Sequence, residues 1–452
     1  MTAATSTTLV WLRDDLRVAD NPALHEAASR GGEIVVLYLL DEVSPGIRPF
    51  GGASKWWLHH SLESLRSSIE QLGGTLTVRE GAAAEVIPAV VEESGADAVF
   101  WNRRYGRSRD VDAALKTSLR AAGIDAQSFQ ASLLFEPWTV TTGEGNPYKV
   151  FTPFWRACLE TGVVRAPLPT PASLAGPTLR SDTLELLPTR PDWAGGLRET
   201  WTPGEAAAHD SLEEFVTDRL QDYHLRDQPG IDVTSAMSPR LKFGEISPFQ
   251  IWDRLEHGPL SGGARTNAAK YLSEVGWREF NWNILFHFPS LHTDNFRPEF
   301  DAFQWEPHTE QVVAWQQGRT GIPLVDAGMR ELWYSGYMHN RVRMVTASLL
   351  IKNLLVDWRV GEAWFWDCLV DADEANNPGN WQWVAGSGAD AAPYFRVFNP
   401  ELQAKKFDPH GDYQRRWVPE FGTPEYPEPI VDLAESRKEA LAHFEVVRAA
   451  RP

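Results

Sequence analysis

The sequence predicts an α/β domain with a doubly wound parallel sheet, then a long connector and an all-α domain. Three observations carry this prediction. Short apolar runs alternate with helical stretches up to about residue 130. A Pro-rich stretch with little periodicity follows, and helical patterns without any strand-rich region then continue to the end. We therefore expect an α/β domain at residues 1–130, a connector at 131–204 and a helical domain at 205–452.

Apolar runs rich in β-branched and aromatic residues predict the strands of the first domain. They lie at residues 8–12, 33–40, 76–79, 98–101 and 126–129. Helices are expected between them, because strands that alternate with helices pair in parallel and have both faces covered. These helices are predicted at residues 22–30, 56–72 and 83–93, with one more before the last strand.

Helical periodicity returns at residue 205. It predicts helices at residues 205–219, 266–286, 324–334 and 339–356. Turn signals such as Ser335-Gly336 separate these stretches. The second domain is therefore expected to be all-α.

Composition narrows the class of protein. The chain has 452 residues with 43% hydrophobic and 23% charged side chains, which is typical of a soluble globular protein of two domains. Two cysteines make no disulfide framework and favour a reducing, cytoplasmic setting. Residues 1–8 lack the pattern of a secretory signal, and no apolar stretch is long enough to span a bilayer. No membrane is expected.

The net charge of −18 argues mildly against nonspecific binding of nucleic acid, because phosphate contacts need Lys and Arg. A local basic excess still allows a basic groove. It consists of Arg341, Arg343, Lys352 and Arg359 against one acid, and Lys405 and Lys406 follow later.

The most informative segment is residues 371–383. It combines Asp371, Asp373, Asn377 and a Trp-x-Trp pair, and half of the chain's 20 Trp lie between Trp277 and Trp383. Such a concentration of indoles is typical of proteins that handle light, single electrons or unstacked bases, and the polar residues beside them resemble the frame of a large planar cofactor.

Two predicted helices bring further polar residues to one face. One carries Glu274, Trp277 and Arg278, and the other carries Asn340, Arg343 and Met344. A lone Trp or Met on a helix is more often core. The polar neighbours cannot all be buried without partners, so we interpret the two faces as walls of a cavity for a flat, polar ligand.

The two acids Asp371 and Asp373 allow several interpretations. Asp371 and Asp373 could be acid/base groups or metal ligands, but no His or Cys cluster has metal spacing. We prefer an ion pair between Asp371 and Arg343, with Asn377 offering an amide to a heteroaromatic ring. Asp373 could also be a helix cap.

A hydroxyl-rich turn at residues 234–238 precedes a helix and could bind phosphate, although most such turns are only caps. Neither a Gly-x-Gly-x-x-Gly nor a Gly-Lys-Ser/Thr loop occurs, so any nucleotide must be held by the helical domain.

These motifs resemble the photolyase/cryptochrome family over nearly the whole chain. Several long motifs stand in the same order as in the family, which makes the match highly specific. The run at residues 381–395 is most similar to bacterial cyclobutane pyrimidine dimer photolyases close to plant cryptochromes. The other motifs are residues 10–17, 20–24, 54–58, 320–330, 337–344 and 399–400.

The resemblance implies that the helical domain binds FAD, active in its reduced form. It also implies a carbon–carbon lyase that repairs cyclobutane pyrimidine dimers in UV-damaged DNA. The lesion would flip out of the duplex, receive an electron from excited reduced FAD, split, and return the electron.

The resemblance also implies roles for residues. Those that match cofactor-binding positions are Tyr223, Thr234, Ser235, Ser238, Glu274, Arg278, Asn340, Arg343, Asp371, Asp373 and Asn377. Asn377 would lie beside flavin N5, where an amide oxygen can accept from the N5–H of reduced flavin. The catalytic positions are Glu274, Trp277, Asn340, Met344, Asn377 and Trp383. DNA contacts would come from Trp277, Arg341, Trp383, Lys405 and Lys406, and the photoreduction chain would be Trp381, Trp358 and Trp305.

A second, antenna chromophore is possible, of unknown identity. Residues 106–108 do not reproduce the Asn-Glu pair that binds folate in some bacterial members. We expect a monomer.

Three alternatives stay open: a cryptochrome-type blue-light photoreceptor, a (6-4) photoproduct photolyase and a flavin electron-transfer protein without DNA. Asn377 and the lack of a long C-terminal extension argue against the photoreceptor. (6-4) enzymes use His at the positions of Asn340 and Met344, and His339 is expected to point away from the cavity.

Overall fold

A five-stranded parallel sheet forms the first domain of the computed structural model, which describes residues 6–307, 310–392 and 395–450. Positions 393 and 394 of the run quoted above lie outside these residues. The strands run in the order β3-β2-β1-β4-β5, and they are β1 (Thr7–Leu12), β2 (Glu33–Leu40), β3 (Leu76–Glu80), β4 (Ala98–Asn102) and β5 (Asp125–Phe129). The connecting helices are α1 (Pro22–Arg30), α2 (Gly52–Gln71), α3 (Ala83–Ser94) and α4 (Ser108–Ala121). The predicted fold class is confirmed.

Alternation along the strands fills two cores. Val10 and Leu12 of β1 face one core with Trp57 of α2, while Leu9 and Trp11 face the other with Ile87 of α3. Successive side chains of a strand point to opposite faces of a sheet, so continuous apolar runs are needed where helices cover both faces.

The second domain is helical, and the part of the chain described in it contains no strand. None of the described helices is long and apolar enough to cross a membrane. The helices are α7 (Glu205–Glu214), α8 (Ser238–Lys242), α9 (Pro248–Glu256), α10 (Gly262–His287), α11 (Glu310–Gln316), α12 (Pro323–Ser335), α13 (Asn340–Ser348), α14 (Trp358–Cys368), α15 (Asn376–Ala385), α16 (Pro400–Phe407), α17 (Asp412–Trp417) and α18 (Leu433–Ala449). Two more, α5 (Phe151–Thr161) and α6 (Gly195–Thr200), lie between the domains.

Two predicted helices end differently in the structure. The helices predicted at residues 205–219 and 339–356 each finish in a π-helical turn, Phe215–Arg219 and Leu349–Asn353. The second turn is followed by Leu355 with φ of 54°. A π turn takes one extra residue into the helix, which an apolar pattern of helical period does not show.

The predicted connector is more ordered than its composition indicates. Phe154 and Cys158 of α5 pack in a core with Leu212 and Phe280 of the helical domain. The domain boundaries at residues 130 and 205 stay a prediction.

Beyond α5 the connector runs along β3, which is an edge strand of the sheet. The Val78 amide donates to Ser181 Oγ at 3.1 Å, and the Asp182 amide donates to the Val78 carbonyl at 2.8 Å. The Glu80 amide donates to Asp182 Oδ2 at 3.2 Å. The connector therefore occupies backbone groups that an open sheet edge would expose.

Glu205, the first residue of α7, joins the two domains. Its carboxylate accepts from the amides of Val18 and Ala19, each at 2.8 Å, and its side chain is buried. The contact with the Val18 amide is buried and the contact with the Ala19 amide is partly buried, and the carboxylate of Glu205 satisfies both amides.

Replacing Glu205 by Ala should lower the free energy of unfolding by about 3 kcal/mol, because a buried amide and a partly buried amide lose a charged acceptor. The measurement is urea denaturation followed by circular dichroism. Glu213→Ala on the same helix is the control: its ion pair with Arg254 is exposed, and its loss should cost at most about 0.5 kcal/mol. Equal effects of the two substitutions would contradict the role given to Glu205.

Candidate active site

A cavity of about 510 Å³ opens in the helical domain between α10, α13, α14 and α15. This volume is within the usual range for ligand sites. Every residue predicted to bind the cofactor lines it, as do all six predicted catalytic residues. Of the remaining predicted residues, Arg341 and Trp381 line it, whereas Trp305, Trp358, Lys405 and Lys406 do not.

The Arg343–Asp371 pair forms as expected. The Arg343 guanidinium donates two hydrogen bonds to the Asp371 carboxylate, at 3.0 and 2.8 Å, and a third to the Met338 carbonyl at 2.6 Å. Ser238 Oγ donates to Asp371 at 2.6 Å. The bidentate geometry fixes the plane of the guanidinium along the cavity wall.

Asn377 has a defined orientation. Its Nδ2 donates to Glu362 Oε1 at 2.8 Å and to the Glu362 carbonyl at 3.0 Å. Both amide hydrogens are thereby used, and Oδ1 accepts no hydrogen bond from the described residues. An amide placed in this way offers an acceptor to whatever occupies the cavity.

The turn at residues 234–238 forms another part of the wall. Ser235 Oγ lies 2.9 Å from Tyr271 Oη, and Ser238 is engaged by Asp371. Ala236 has φ of 52°, in the left-handed region that a residue with Cβ rarely adopts. This backbone strain is typical of segments shaped by function, and it brings the turn against the cavity.

Residues of α13 and two indoles surround the rest of the cavity. Asn340 and Met344 lie one helical turn apart and both line it. Trp277 stacks on Phe151 with ring centroids 3.9 Å apart, so one of its faces is covered. Trp383 Nε1 donates to the Asp390 carbonyl at 3.1 Å, which fixes its ring.

One member of the predicted tryptophan chain, Trp381, lines the cavity, while Trp358 lies in the same apolar core and Trp305 packs against that core. The ring of Trp381 lies against Gly361, where an added Cβ would come within 2.1 Å of the indole. Gly361 is less than one helical turn from Trp358 on α14, so this glycine allows the two helices, and with them the two indoles, to approach. Trp358 is fully buried and donates to Asn295 Oδ1 at 3.0 Å, whereas Trp305 is half-buried.

The local basic excess is largely neutralised. Arg341 pairs with Asp227 at 3.0 Å, Arg343 pairs with Asp371, and Arg359 pairs with Asp357 at 2.9 Å. Lys352 is fully buried and donates to the Ala385 carbonyl, and burial lowers its pKa well below the usual value. Counting charges along the sequence therefore overstated the basic surface here. Lys405 and Lys406 are exposed.

Some predicted residues have a structural role as well. Asp373 Oδ1 accepts hydrogen bonds from the amides of Ala375 and Asn376 at the start of α15. These contacts agree with the interpretation of Asp373 as a helix cap. Arg278 donates to the Ser132 carbonyl at 2.8 Å and pairs with Glu279, so it is directed toward the start of the connector.

The expectation for His339 was wrong, because this residue lines the cavity. It caps α13, with Nδ1 accepting from the Arg341 amide at 3.2 Å. A ring that accepts through Nδ1 is neutral, and burial lowers the pKa of His339 to about 4. The sequence places His339 near the start of a helix, but it does not show that this helix begins at Asn340.

Sequence reasoning missed several cavity residues. Asn376 and Asn281 are bonded to each other at 2.8 Å, and Asn380 lies beside them. The repeated Asn at residues 376, 377 and 380 was the available signal. Glu362, which binds Asn377 but does not line the cavity, gave no signal, because its partner Arg48 is more than 300 positions away in the sequence.

A smaller cavity of about 100 Å³ lies at the carboxyl edge of the sheet. Arg13, Asp41 and Arg104, which follow β1, β2 and β4, line it together with Lys242 and Trp366 of the helical domain. In open α/β sheets ligands bind at this edge. The two cavities share four lining residues: Leu241, Arg278, Ala372 and Asp373.

The larger cavity fits FAD in its donor and acceptor set. Arg343 offers positive charge for an anionic ring edge, and Asn377 Oδ1 is free to accept. The strained hydroxyl turn provides short polar side chains for the nucleotide part. The rings of Tyr271 and Tyr223, with centroids 5.4 Å apart, close the cavity behind this turn.

Comparison with known proteins agrees with this assignment. Residues 8–172 match the family model of DNA photolyase, and residues 271–424 match that of the FAD binding domain of DNA photolyase. The deoxyribodipyrimidine photo-lyase of Agrobacterium fabrum is 46% identical, covering 99% of each chain.

Solved structures agree as well. A bacterial class III photolyase from Agrobacterium tumefaciens superposes with a TM-score of 0.94 at 44% identity, over 99% of each chain. An archaeal photolyase from Sulfolobus tokodaii, solved with two FAD molecules, superposes with a TM-score of 0.81 at 28% identity, over 97% of this chain and 99% of that one.

The lowered pKa of His339 gives a testable dependence on pH. An unfolded His takes up a proton below about pH 6.5 and the folded one only near pH 4, so stability contributed by neutral His339 is lost as pH falls through this window. His339→Asn keeps an acceptor for the helix cap but cannot titrate. Between pH 7 and pH 4 the wild type should lose up to about 3 kcal/mol more unfolding free energy than the variant, measured by urea denaturation. Parallel pH profiles of the two proteins would refute the assignment.

Proposed function

This chain belongs to the photolyase/cryptochrome family, and we propose that it repairs cyclobutane pyrimidine dimers in DNA as a light-driven deoxyribodipyrimidine photo-lyase. The observation that carries the proposal is the polar frame of the large cavity. There the Arg343–Asp371 pair and the oriented amide of Asn377 face one space. When bound, reduced FAD supplies the electron that reaches the lesion on illumination and takes it back after the ring has split.

The residues of this chain favour reduced flavin. The amide oxygen of Asn377 would accept a hydrogen bond from the N5–H of reduced flavin, which the oxidised ring lacks. Arg343 places a fixed positive charge beside the ring, where the reduced anion needs compensation. Thr234, Ser235 and Ser238, with Tyr223, hold the phosphate and ribitol part, and Asp371 keeps both Ser238 and Arg343 in place.

The lesion occupies the outer part of the same cavity. Enzymes that act on bases within a duplex, photolyases among them, extrude the target nucleotide into a pocket. The free face of Trp277 and the ring of Trp383 enclose the lesion, since bases stack on indoles with about 1–3 kcal/mol each. Glu274 binds the pyrimidine edge, and its Lys270 neighbour at 2.7 Å keeps the carboxylate directed along the helix surface.

DNA phosphates meet the exposed Lys405 and Lys406 at the end of α16, and Arg341 beside the cavity. Arg341 stacks on Phe407, the last residue of α16, at 4.4 Å from the ring centroid, so the helix that carries the two lysines is fixed next to the cavity. The phosphate contacts thereby position the duplex over the site.

The smaller cavity is the proposed position of a second chromophore. Its volume of about 100 Å³ is too small to enclose a large ring system, so such a ligand would lie across its opening. Its lining combines Arg13, Arg48 and Arg104 with the acids Asp14, Asp41 and Glu374, and would select a polar molecule.

We also propose that the protein is a cytoplasmic monomer. Cys158 and Cys368 are both buried and unpaired, which suits a reducing compartment.

Asn340 and Met344 decide between two kinds of lesion. Repair of a (6-4) photoproduct moves a hydroxyl between rings and needs a proton donor, a role suited to His. Splitting a cyclobutane needs only an electron in and out. Asn and Met at the cavity wall meet that smaller demand. His339, neutral and engaged as a helix cap through Nδ1, is not placed as a charged donor.

Flavin-loaded, reduced protein should repair an oligonucleotide with a cyclobutane thymine dimer under blue light and should leave a (6-4) oligonucleotide unchanged. Loss of the lesion is followed by chromatography of the digested oligonucleotide, with the same mixture in the dark as control. Repair of the (6-4) oligonucleotide alone would reassign the lesion. Repair of neither oligonucleotide by the flavin-loaded, reduced protein under blue light would favour the photoreceptor alternative, and absence of FAD from gently purified protein would remove the basis of the proposal.

Trp305→Phe should block photoreduction of the oxidised flavin yet leave repair by chemically reduced protein nearly unchanged. Phenyl gives up an electron less readily than indole, whereas the lesion receives its electron from flavin directly. Trp305 is the cleaner choice because Trp358→Phe would also leave buried Asn295 without its donor. Trp193→Phe, which removes an exposed indole from the connector, is the control and should photoreduce normally. Should repair by reduced Trp305→Phe collapse too, Trp305 would be structural.

A further inference from the structure

The orientation of Asn377 depends on a residue outside the cavity. Glu362 is 3% exposed, lies on α14 and does not line the cavity. It is nevertheless the acceptor for both hydrogens of the Asn377 amide, through its carboxylate at 2.8 Å and its backbone carbonyl at 3.0 Å. An ionised carboxylate can only accept, so the NH₂ group must face Glu362 and the carbonyl must face the cavity.

Glu362 is itself held by the other domain. Arg48, in the loop that follows β2, donates to Glu362 Oε1 at 2.7 Å and to Oε2 at 3.0 Å. The guanidinium also stacks on Trp366, with its carbon 4.0 Å from the ring centroid, and Trp366 Nε1 donates to the Pro49 carbonyl at 2.9 Å. A bidentate, stacked Arg fixes a carboxylate in both position and plane.

These contacts form a continuous chain from Arg48 through Glu362 to Asn377. We propose that Glu362, anchored by Arg48 of the α/β domain, is the positioning residue that turns the Asn377 carbonyl toward flavin N5 and so sets the reduction potential of the bound flavin. The proposal rests on the proposed function for the position of the flavin in the cavity. Reduction adds two electrons to the ring and a proton at N5, and that N5–H then meets an acceptor that cannot rotate away.

The opposite orientation would favour the opposite redox state. A rotated Asn377 presents its NH₂ group, and this donor pairs with the unprotonated N5 of oxidised flavin. The orientation of the Asn377 amide therefore decides whether the reduced or the oxidised flavin is stabilised. The carboxylate of Glu362 selects one of the two orientations.

Glu362→Gln is the first test, because it keeps the shape and removes the charge. Arg48 only donates and binds both carboxylate oxygens of Glu362, and Asn377 Nδ2 shares Oε1 with it, so a Gln amide here leaves at least one of these donors facing an NH₂ group. The side-chain acceptor of Asn377 is then neutral or absent, and the rotated orientation of the Asn377 amide becomes more populated. The midpoint potential of bound FAD, measured in the dark without DNA against a reference dye, should shift to more negative values while the flavin content stays that of wild type. Arg48→Met, which keeps a chain on Trp366, should shift it in the same direction by less.

Asp367→Asn is the matched control. Asp367 lies on the same helix, and its carboxylate accepts from the Gly52 amide of the α/β domain at 2.8 Å, so it joins the domains without touching Asn377. The midpoint potential of FAD bound to Asp367→Asn should equal that of FAD bound to the wild type. An equal shift in Asp367→Asn would show that loosening of the domain contact is the cause, and this would overturn the proposal.

A double-mutant cycle isolates the amide. In an Asn377→Ala background no amide remains to rotate, so Glu362→Gln should cause no further shift. A full shift in that background, or no shift in Glu362→Gln alone, overturns the proposal. Neither result depends on DNA repair: a protein that shows these shifts but repairs no dimer contradicts the proposed function only, and one that repairs dimers without the shifts contradicts this inference only.

Discussion

The ion pair between Arg343 and Asp371 is the interaction on which the rest of the cavity depends. It joins α13 to the segment before α15, and through Ser238 it reaches α8 as well. Asp371 is buried, and removing one partner of a buried pair leaves an uncompensated charge at a cost of about 3–5 kcal/mol. Because three elements meet at one carboxylate, this interaction fixes the part of the cavity wall that these elements form.

The two domains share a site rather than merely a boundary. Glu205 binds the loop after β1, and Arg48 extends from the loop after β2 to Glu362. Leu241, Arg278, Ala372 and Asp373 form a wall common to both cavities. The carboxyl edge of the sheet therefore contributes to the environment of the flavin cavity even though none of its own residues lines that cavity.

The sequence predicted what local periodicity and motif spacing determine. Strands and helices of the first domain follow the apolar pattern to within a few residues, and the Arg343–Asp371 pair followed from the need of a buried charge for a partner. The π turn after α13 and the burial of Lys352 did not follow, since both are set by packing of distant segments. His339 was misplaced because one residue at a helix start decides which way a side chain points. The role of Glu362 could not be predicted either, because it depends on its contact with Arg48, which belongs to the other domain.

The connector on β3 has a consequence for how the chain is made. During synthesis the five strands leave the ribosome first, and the segment with Ser181 and Asp182 that covers the edge of β3 emerges roughly 50 residues later. At about 5–20 residues per second this interval is about 3–10 s. For that time the nascent sheet carries an uncovered edge strand, the kind of surface on which neighbouring chains pair and aggregate. The order of elements along the chain therefore leaves this edge of the α/β domain open to pairing until the connector has emerged.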